Sequence, residues 1–348
     1  MNNVTDKLPM PGPAKAFPMI SDWLRFDPDG SVQVYSGRVE LGQGITTALA
    51  QIVAEELDVP VSAIRMTLGD TRTSPAEGPT VGSLSVQLGG MSLRMAASAA
   101  RQVMLRRAAD LTQSAPEALS VDGGAILNGG VETGLGYGGL AGQVDLAVPL
   151  ADHAAPKAKT DRHISGQSVA RSDLAARLGA GYMIHDLSFD GMLHGRVVQP
   201  PSLDARLDSD PATLEAALTQ GSRLVTIGGF IGVVADHEYH AIRDARTLAD
   251  HVRWYGSNPA DAPHPTDALE HPEPQGEVLC DTGDGPKAAA ETISVTLTKP
   301  VLSHASIGPS CGVARWDDGR LTVWAHSQNV FALKGSLAAV LRVDPGMV

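Results

Sequence analysis

The chain has 348 residues, 43% of them hydrophobic, and a formal charge of −12, enough apolar material for two or three globular domains. The acidic balance, with no basic run interleaved with aromatics, argues against a nucleic-acid surface, and no apolar run reaches about 18 residues, the minimum for a membrane span. Cys280 and Cys311 are its only cysteines, too few for a disulfide framework or an iron–sulfur cluster; they are expected to stay reduced in a chain that lacks a secretory leader and reads as cytoplasmic.

In chain order, residues 1–20 read as an N-terminal arm rich in Pro and Met, with no packing pattern of its own. A first domain is expected over residues 21–150. It opens with a hairpin, Trp23 to Phe26 and Ser31 to Tyr35, turned at Asp27-Pro28-Asp29-Gly30. Val32 and Val34, followed by Val39 and Leu41, alternate with polar residues as a half-buried strand does. Ile45, Ala48, Leu49, Ile52, Val53 and Leu57 then form a helical stripe that Pro60 terminates. Between strand and helix sits Gly42-Gln43-Gly44. It reads either as a tight turn with Gln43 facing water, or as a cradle in which two glycines let a ligand approach and Gln43 donates and accepts at its edge.

Ile64, Met66 and Leu68 alternate as the next strand, and Gly69 to Gly78 is a loop carrying Asp70, Arg72 and Glu77. The block Thr80 to Gly90, containing Gly82, Ser83, Leu84 and Ser85, opens a helix whose buried stripe is Leu93, Ala96, Ala97, Ala100, Met104, Ala108 and Leu111. Ser83 and Ser85 are turn and capping residues, or they leave hydroxyls free for an oxyanion. A small hairpin is expected at Val121 to Gly129.

Residues 151–167 read as a linker. A second α+β unit follows over 168–255, with strands at Tyr182 to Asp186, Met192 to Val198, Leu224 to Thr226 and Ile231 to Ala235, and a helix from His240 to Leu248. His185 and His194 are ordinary strand histidines in this reading, and His237 with His240 has no third ligand nearby, so no protein-ligated metal is expected. Residues 256–290 are a proline-rich linker. Residues 291–348 then echo the first domain: a hairpin from Val313 to Trp324, the polar turn Ser327-Gln328-Asn329, and a helix with Phe331, Leu333, Leu337, Val340 and Leu341.

The segments Val34 to Pro60 and Val81 to Ala97 resemble the molybdopterin-binding subunit of the xanthine dehydrogenase and aldehyde oxidase family, in the branch of isoquinoline 1-oxidoreductase and nicotinate dehydrogenase large subunits. Tyr182 to Pro201 resembles that family's α/β hammerhead domain. The resemblance implies an α+β, multidomain fold in which molybdopterin-binding segments flank a hammerhead domain, the second segment starting at 291 and stopping partway. It implies a molybdenum oxidoreductase subunit that hydroxylates an N-heteroaromatic compound or an aldehyde. The cofactor would be molybdenum on molybdopterin, in its cytosine dinucleotide form, held by Gly42, Gln43, Gly44, Gly82, Ser83, Leu84 and Ser85. The implied partners are a small subunit carrying [2Fe–2S] and the remaining C-terminal part of the molybdenum subunit. No catalytic residue is assigned: the family's base lies in a Gly-Glu-Pro-like motif, and neither Glu40, Glu77 nor Glu273 next to Pro274 stands in one. Gly308 stands where many relatives place a glutamate. The alternative is a scaffold or binding protein that keeps the fold without the metal.

Overall fold

The computed structural model describes residues 9–172, 174–179 and 183–256, isolated positions and short runs between 277 and 310, and residues 311–348. It is an α+β protein in two compact units, residues 1–187 with 310–348 and residues 188–309. Glu273 and most of the 256–290 segment lie outside the described residues.

The first unit begins with helix α1, Gly12–Ala16, whose Pro13 and Ala14 are buried, and Ile20 is buried beside it in the same core. Residues 10–20 are therefore part of the core and not a bare arm: alternating small and apolar residues among the prolines suffice to pack. Strands β1, Leu24–Phe26, and β2, Val32–Ser36, form the expected hairpin, with Leu24 opposite Val34. Ser31 closes its turn, its backbone N–H and its hydroxyl both donating to Asp29 Oδ1. Helix α2, Ile45–Leu57, crosses over to β3, Ile64–Leu68, which pairs parallel to β2 with Val34 opposite Met66, giving the sheet order β1-β2-β3. The chain needs a crossover between parallel neighbours, and the α2 stripe supplies one that buries Leu49 and Val53 against the sheet. The helix ends at Asp58, which takes the left-handed conformation at φ 54°.

Strand β2 stops at Ser36, so Val39 and Leu41 lie in a loop and not in the strand, and Leu41 is 54% exposed. The chain leaves the sheet there because Ser36 and the backbone of Gly37 are captured by Glu77. Helix α3, Met91–Thr112, buries the expected Leu93, Ala96, Ala97, Ala100, Met104 and Ala108, but Leu111 is 44% exposed in its last turn. Ala99, Leu105 and Ala109 are buried instead, because alanines let neighbours approach on more than one side. The small hairpin is a three-stranded sheet of β4, Leu119–Asp122, β5, Ala125–Asn128, and β6, Val131–Gly136. Short helix α4, Tyr137–Leu140, follows, and the Tyr137 hydroxyl donates to the Leu57 carbonyl at the end of α2.

Residues 155–172 are fastened along α2. The backbone N–H groups of His163, Ile164 and Ser165 all donate to the Glu55 carboxylate, and Lys157 N donates to Glu56, which also pairs with Arg94. Helix α5, Leu174–Leu178, comes next. Ile184–Asp186 is a 3-10 turn and not a strand, because the Asp186 carboxylate accepts from Met183 N and closes the turn.

In the second unit β7, His194–Val198, β9, Ser222–Ile227, and β10, Phe230–Ala235, form an antiparallel sheet in the order β7-β10-β9. A short pair, β8 at Arg206–Leu207 and β11 at Trp254–Tyr255, accompanies it. Helix α6, Pro211–Ala216, is capped by Asp210, and α7, Glu238–His251, places Ala245 and Leu248 against Ile231 and Val233.

The last residues return to the first unit. Strands β12, Gly312–Asp317, and β13, Arg320–Ala325, pair as a hairpin, and α8, Val330–Leu341, follows with Asn329 capping Ala332 N. The order hairpin, polar turn, helix is thus repeated. Trp316, Val340 and Leu341 remain exposed on it, at 52%, 70% and 45%.

Candidate cofactor site

The loop between β2 and α2 is held by one carboxylate. Glu40 accepts from Gly42 N, Gly44 N, Thr46 N and the Thr46 hydroxyl at 2.8–3.0 Å. Thr46 lies in the first turn of α2, where a negative charge is favoured by unpaired N–H groups and the helix dipole, and Gly42 and Gly44 lead into it. Gly42 and Gly44 adopt φ of 101° and 83°, a region that L side chains rarely adopt, so glycine is required here. Arg171 and Arg177 each lie 3.5 Å from Glu40 Oε1, and Arg171 also donates to the Gly42 carbonyl. Burial pushes the Glu40 carboxyl up, but the hydrogen bonds from Thr46, Gly44 and Gly42 outweigh it and hold the group below its ordinary value. The Gly42, Gly44 and Thr46 amides are thus occupied by the chain's own Glu40.

Gln43 is folded over the loop: its Oε1 accepts from Leu41 N at 2.5 Å and its Nε2 donates to the Val39 carbonyl at 3.1 Å. One amide hydrogen of Gln43 remains for a ligand, and the residue lies on the exposed rim with Leu41 and Gly42.

The second loop, Pro79 to Ser85, is joined to the first at its base. Val39 N donates to the Thr80 hydroxyl at 3.0 Å, and Arg38 Nη1 donates to the Pro79 carbonyl at 2.5 Å. Gly82 and Ser83 take φ of 60° and 59°, which turns the chain into a π-helix at Ser85–Gly90 ahead of α3. Such π segments are rare and recur at functional sites. The Ser83 and Ser85 side chains reach no partner among the described residues, and Leu84 is half-buried beneath the turn. The two loops that carry Gly42, Gln43 and Gly44, and Gly82, Ser83, Leu84 and Ser85, are therefore neighbours in the fold.

Three features escaped the sequence reading. Gln328 of the repeated polar turn docks on the second loop, its carbonyl accepting from Thr80 N and its Nε2 donating to the Thr80 carbonyl, both at 2.8 Å. Arg171 and Arg177 stand more than 120 residues from the loop they hold, with no local signal to find them. The buried pair Arg38 and Glu77 sits beneath both loops, with side chains 1% and 0% exposed. His185 lies against His326 at a ring separation of 5.5 Å, and among the described residues no cluster of three His, Cys, Asp or Glu side chains is placed to hold a metal. A cavity of about 540 Å³ lined by Leu24, Phe26, Tyr35, Met104 and Leu146 contains no residue of either loop.

A family model described as a molybdopterin cofactor-binding domain matches residues 10–168, the stretch that contains both loops. A nicotinate dehydrogenase polypeptide of Pseudomonas putida is 35% identical over 337 residues, which are 92% of this chain and 28% of that protein. The chain is similar to molybdopterin-binding polypeptides of the xanthine dehydrogenase and aldehyde oxidase kind. The carbon monoxide dehydrogenase large chain of Hydrogenophaga pseudoflava is 39% identical over 74 residues, 21% of this chain and 9% of that relative. Among solved structures, a copper- and molybdenum-containing CO dehydrogenase matches 34% of this chain and 15% of its own at 30% identity, with a TM-score of 0.29. The chain thus spans little more than a quarter of the family member it matches over most of its length. No helix among its described residues is long and apolar enough to cross a membrane.

Proposed function

We propose that this chain is the cofactor-holding part of a molybdenum hydroxylase acting on an N-heteroaromatic compound or an aldehyde, and that the loops 40–46 and 79–85 hold the pterin. The observation that carries this reading is the joining of the two glycine-rich turns, far apart in sequence, by the Val39–Thr80 and Arg38–Pro79 hydrogen bonds. The donor set suits the group: the remaining Gln43 amide hydrogen and the Ser83 and Ser85 hydroxyls can bond pterin ring edges or phosphate oxygens. At Gly42 a Cβ would meet nothing within 4 Å, so the backbone there is open to close approach. When bound, the cofactor would supply the oxygen nucleophile and take up the electrons, while Gln43, Ser83 and Ser85 would supply position. The cytosine dinucleotide form suits hydroxyl donors reaching several phosphate oxygens. The reading includes a [2Fe–2S] partner subunit, since Cys280 and Cys311 cannot ligate a cluster, and the remaining length of the family's molybdenum subunit. The exposed Trp316, Val340 and Leu341 are apolar surface of the kind another polypeptide covers. In this scheme the stretch 168–255 is the hammerhead domain, its sheet β7-β10-β9 lying in the second unit, and the assembly works in the cytoplasm.

The test is cofactor retention. In a complex reconstituted with the rest of the molybdenum subunit, Gln43→Ala is expected to lower molybdenum per complex, with affinity falling on the order of 10-fold for one lost hydrogen bond. Gln328→Ala is no inert comparison, because Gln328 holds Thr80. Unchanged metal content in Gln43→Ala, with Gln328→Ala losing it, would move the contact from Gln43 to the repeated turn.

A further inference from the structure

We propose that Arg38 is a positioning residue: its guanidinium, set against Glu77, fixes the spacing between the 40–46 and 79–85 loops. The proposal rests on the reading that both loops hold the cofactor. Three segments converge on this pair. Glu77 Oε1 accepts from the Ser36 hydroxyl and from Gly37 N, so it fixes the point where the first loop leaves β2. Arg38 Nη1 reaches the Pro79 carbonyl at the base of the second loop, while its Nε lies 3.4 Å from Glu77 Oε2. Gly89 of the π-helix presses on both, since a Cβ there would fall 2.7 Å from Glu77 Oε2 and 3.2 Å from Arg38 Cγ and Nε. Arg38 Nε and Nη2 and Glu77 Oε2 are buried without a hydrogen-bond partner.

A buried ion pair with unfilled hydrogen-bonding capacity adds little stability over apolar residues of the same volume. What it adds here is geometry, because a planar fork can face a carboxylate and a carbonyl at once. An ammonium at the same place would balance the Glu77 charge without spanning to Pro79. Charge balance and loop spacing can therefore be separated by substitution.

The experiment compares Arg38→Lys and the charge-free double variant Arg38→Met with Glu77→Gln. Both leave no unpaired buried charge, so either serves if the other fails to fold. Nitroxide labels are placed on Leu41→Cys and Val81→Cys, both exposed in the native chain, with Cys280→Ser and Cys311→Ser. The dipolar coupling between the labels is read on the full chain without cofactor. Pterin content is read separately on the unlabelled reconstituted complex. The expected result is a broadened interlabel distribution in both variants and at least a tenfold loss of pterin. An unchanged distribution in a folded variant overturns the positioning role. A broadened distribution with full pterin content supports the role of Arg38 and counts against these loops as the cofactor cradle.

Discussion

Arg38→Met alone is expected to destabilise the first unit by about 3–5 kcal/mol, the cost of leaving one member of a buried ion pair without its partner. Glu77 stays behind with its side chain fully buried. Burial already pushes its carboxyl above the ordinary value, against the Ser36 hydrogen bond and the Arg38 charge, and losing Arg38 pushes it further. For a carboxyl raised in the folded state, the stabilising contribution is complete below the unfolded value near 4.5 and is lost as pH rises through the folded value. The defect of Arg38→Met should thus be smallest in acid and grow toward neutrality. Urea titrations at several pH values, followed by the emission of the fully buried Trp23, measure it. A deficit that shrinks as pH rises would contradict the assignment of Glu77 as the stranded charge.

The second large effect is expected at Gly37. A Cβ at this position would sit 2.2 Å from the Pro75 carbonyl oxygen and 3.1 Å from Glu77 N, both backbone atoms, with the Phe331 ring 3.4 Å away. No side-chain rotation relieves a clash with backbone. Gly37→Ala should therefore cost at least the upper end of the about 1–3 kcal/mol typical of overpacking. It should also displace the Gly37 N–H from Glu77 and with it the start of the 40–46 loop. Thermal melts of the variant beside Gly42→Ala make the comparison. Gly42 has open space but a positive φ, so that variant is strained in its backbone without crowding its neighbours. A Gly37→Ala protein as stable as the native one would show that the 75–77 segment yields freely.

Local pattern accounts for what the sequence made legible. The period of α2, the hairpin turn at Asp27 to Gly30 and the repeated hairpin, polar turn and helix near residue 330 are each written in short consecutive stretches, and each is present. What the sequence hid is non-local. Val39 and Leu41 alternate as a strand would, yet β2 ends at Ser36 because an acid 41 residues away binds Ser36 and Gly37. Residues 151–167 have the composition of a linker, yet Glu55 gathers three of their amides onto α2. At the site, the glycines of both loops were visible as glycines. That Glu40 would hold the first set of amides and that Gln328 would brace Thr80 depends on contacts that no spacing records.

Amide hydrogen exchange on the reconstituted complex, with and without its cofactor, decides whether loops 40–46 and 79–85 hold the pterin. Added protection is expected at residues 41–46 and 81–85, while the β4-β5-β6 sheet exchanges alike in both states. Equal exchange in the two loops, with the cofactor shown to be bound, would place the pterin elsewhere.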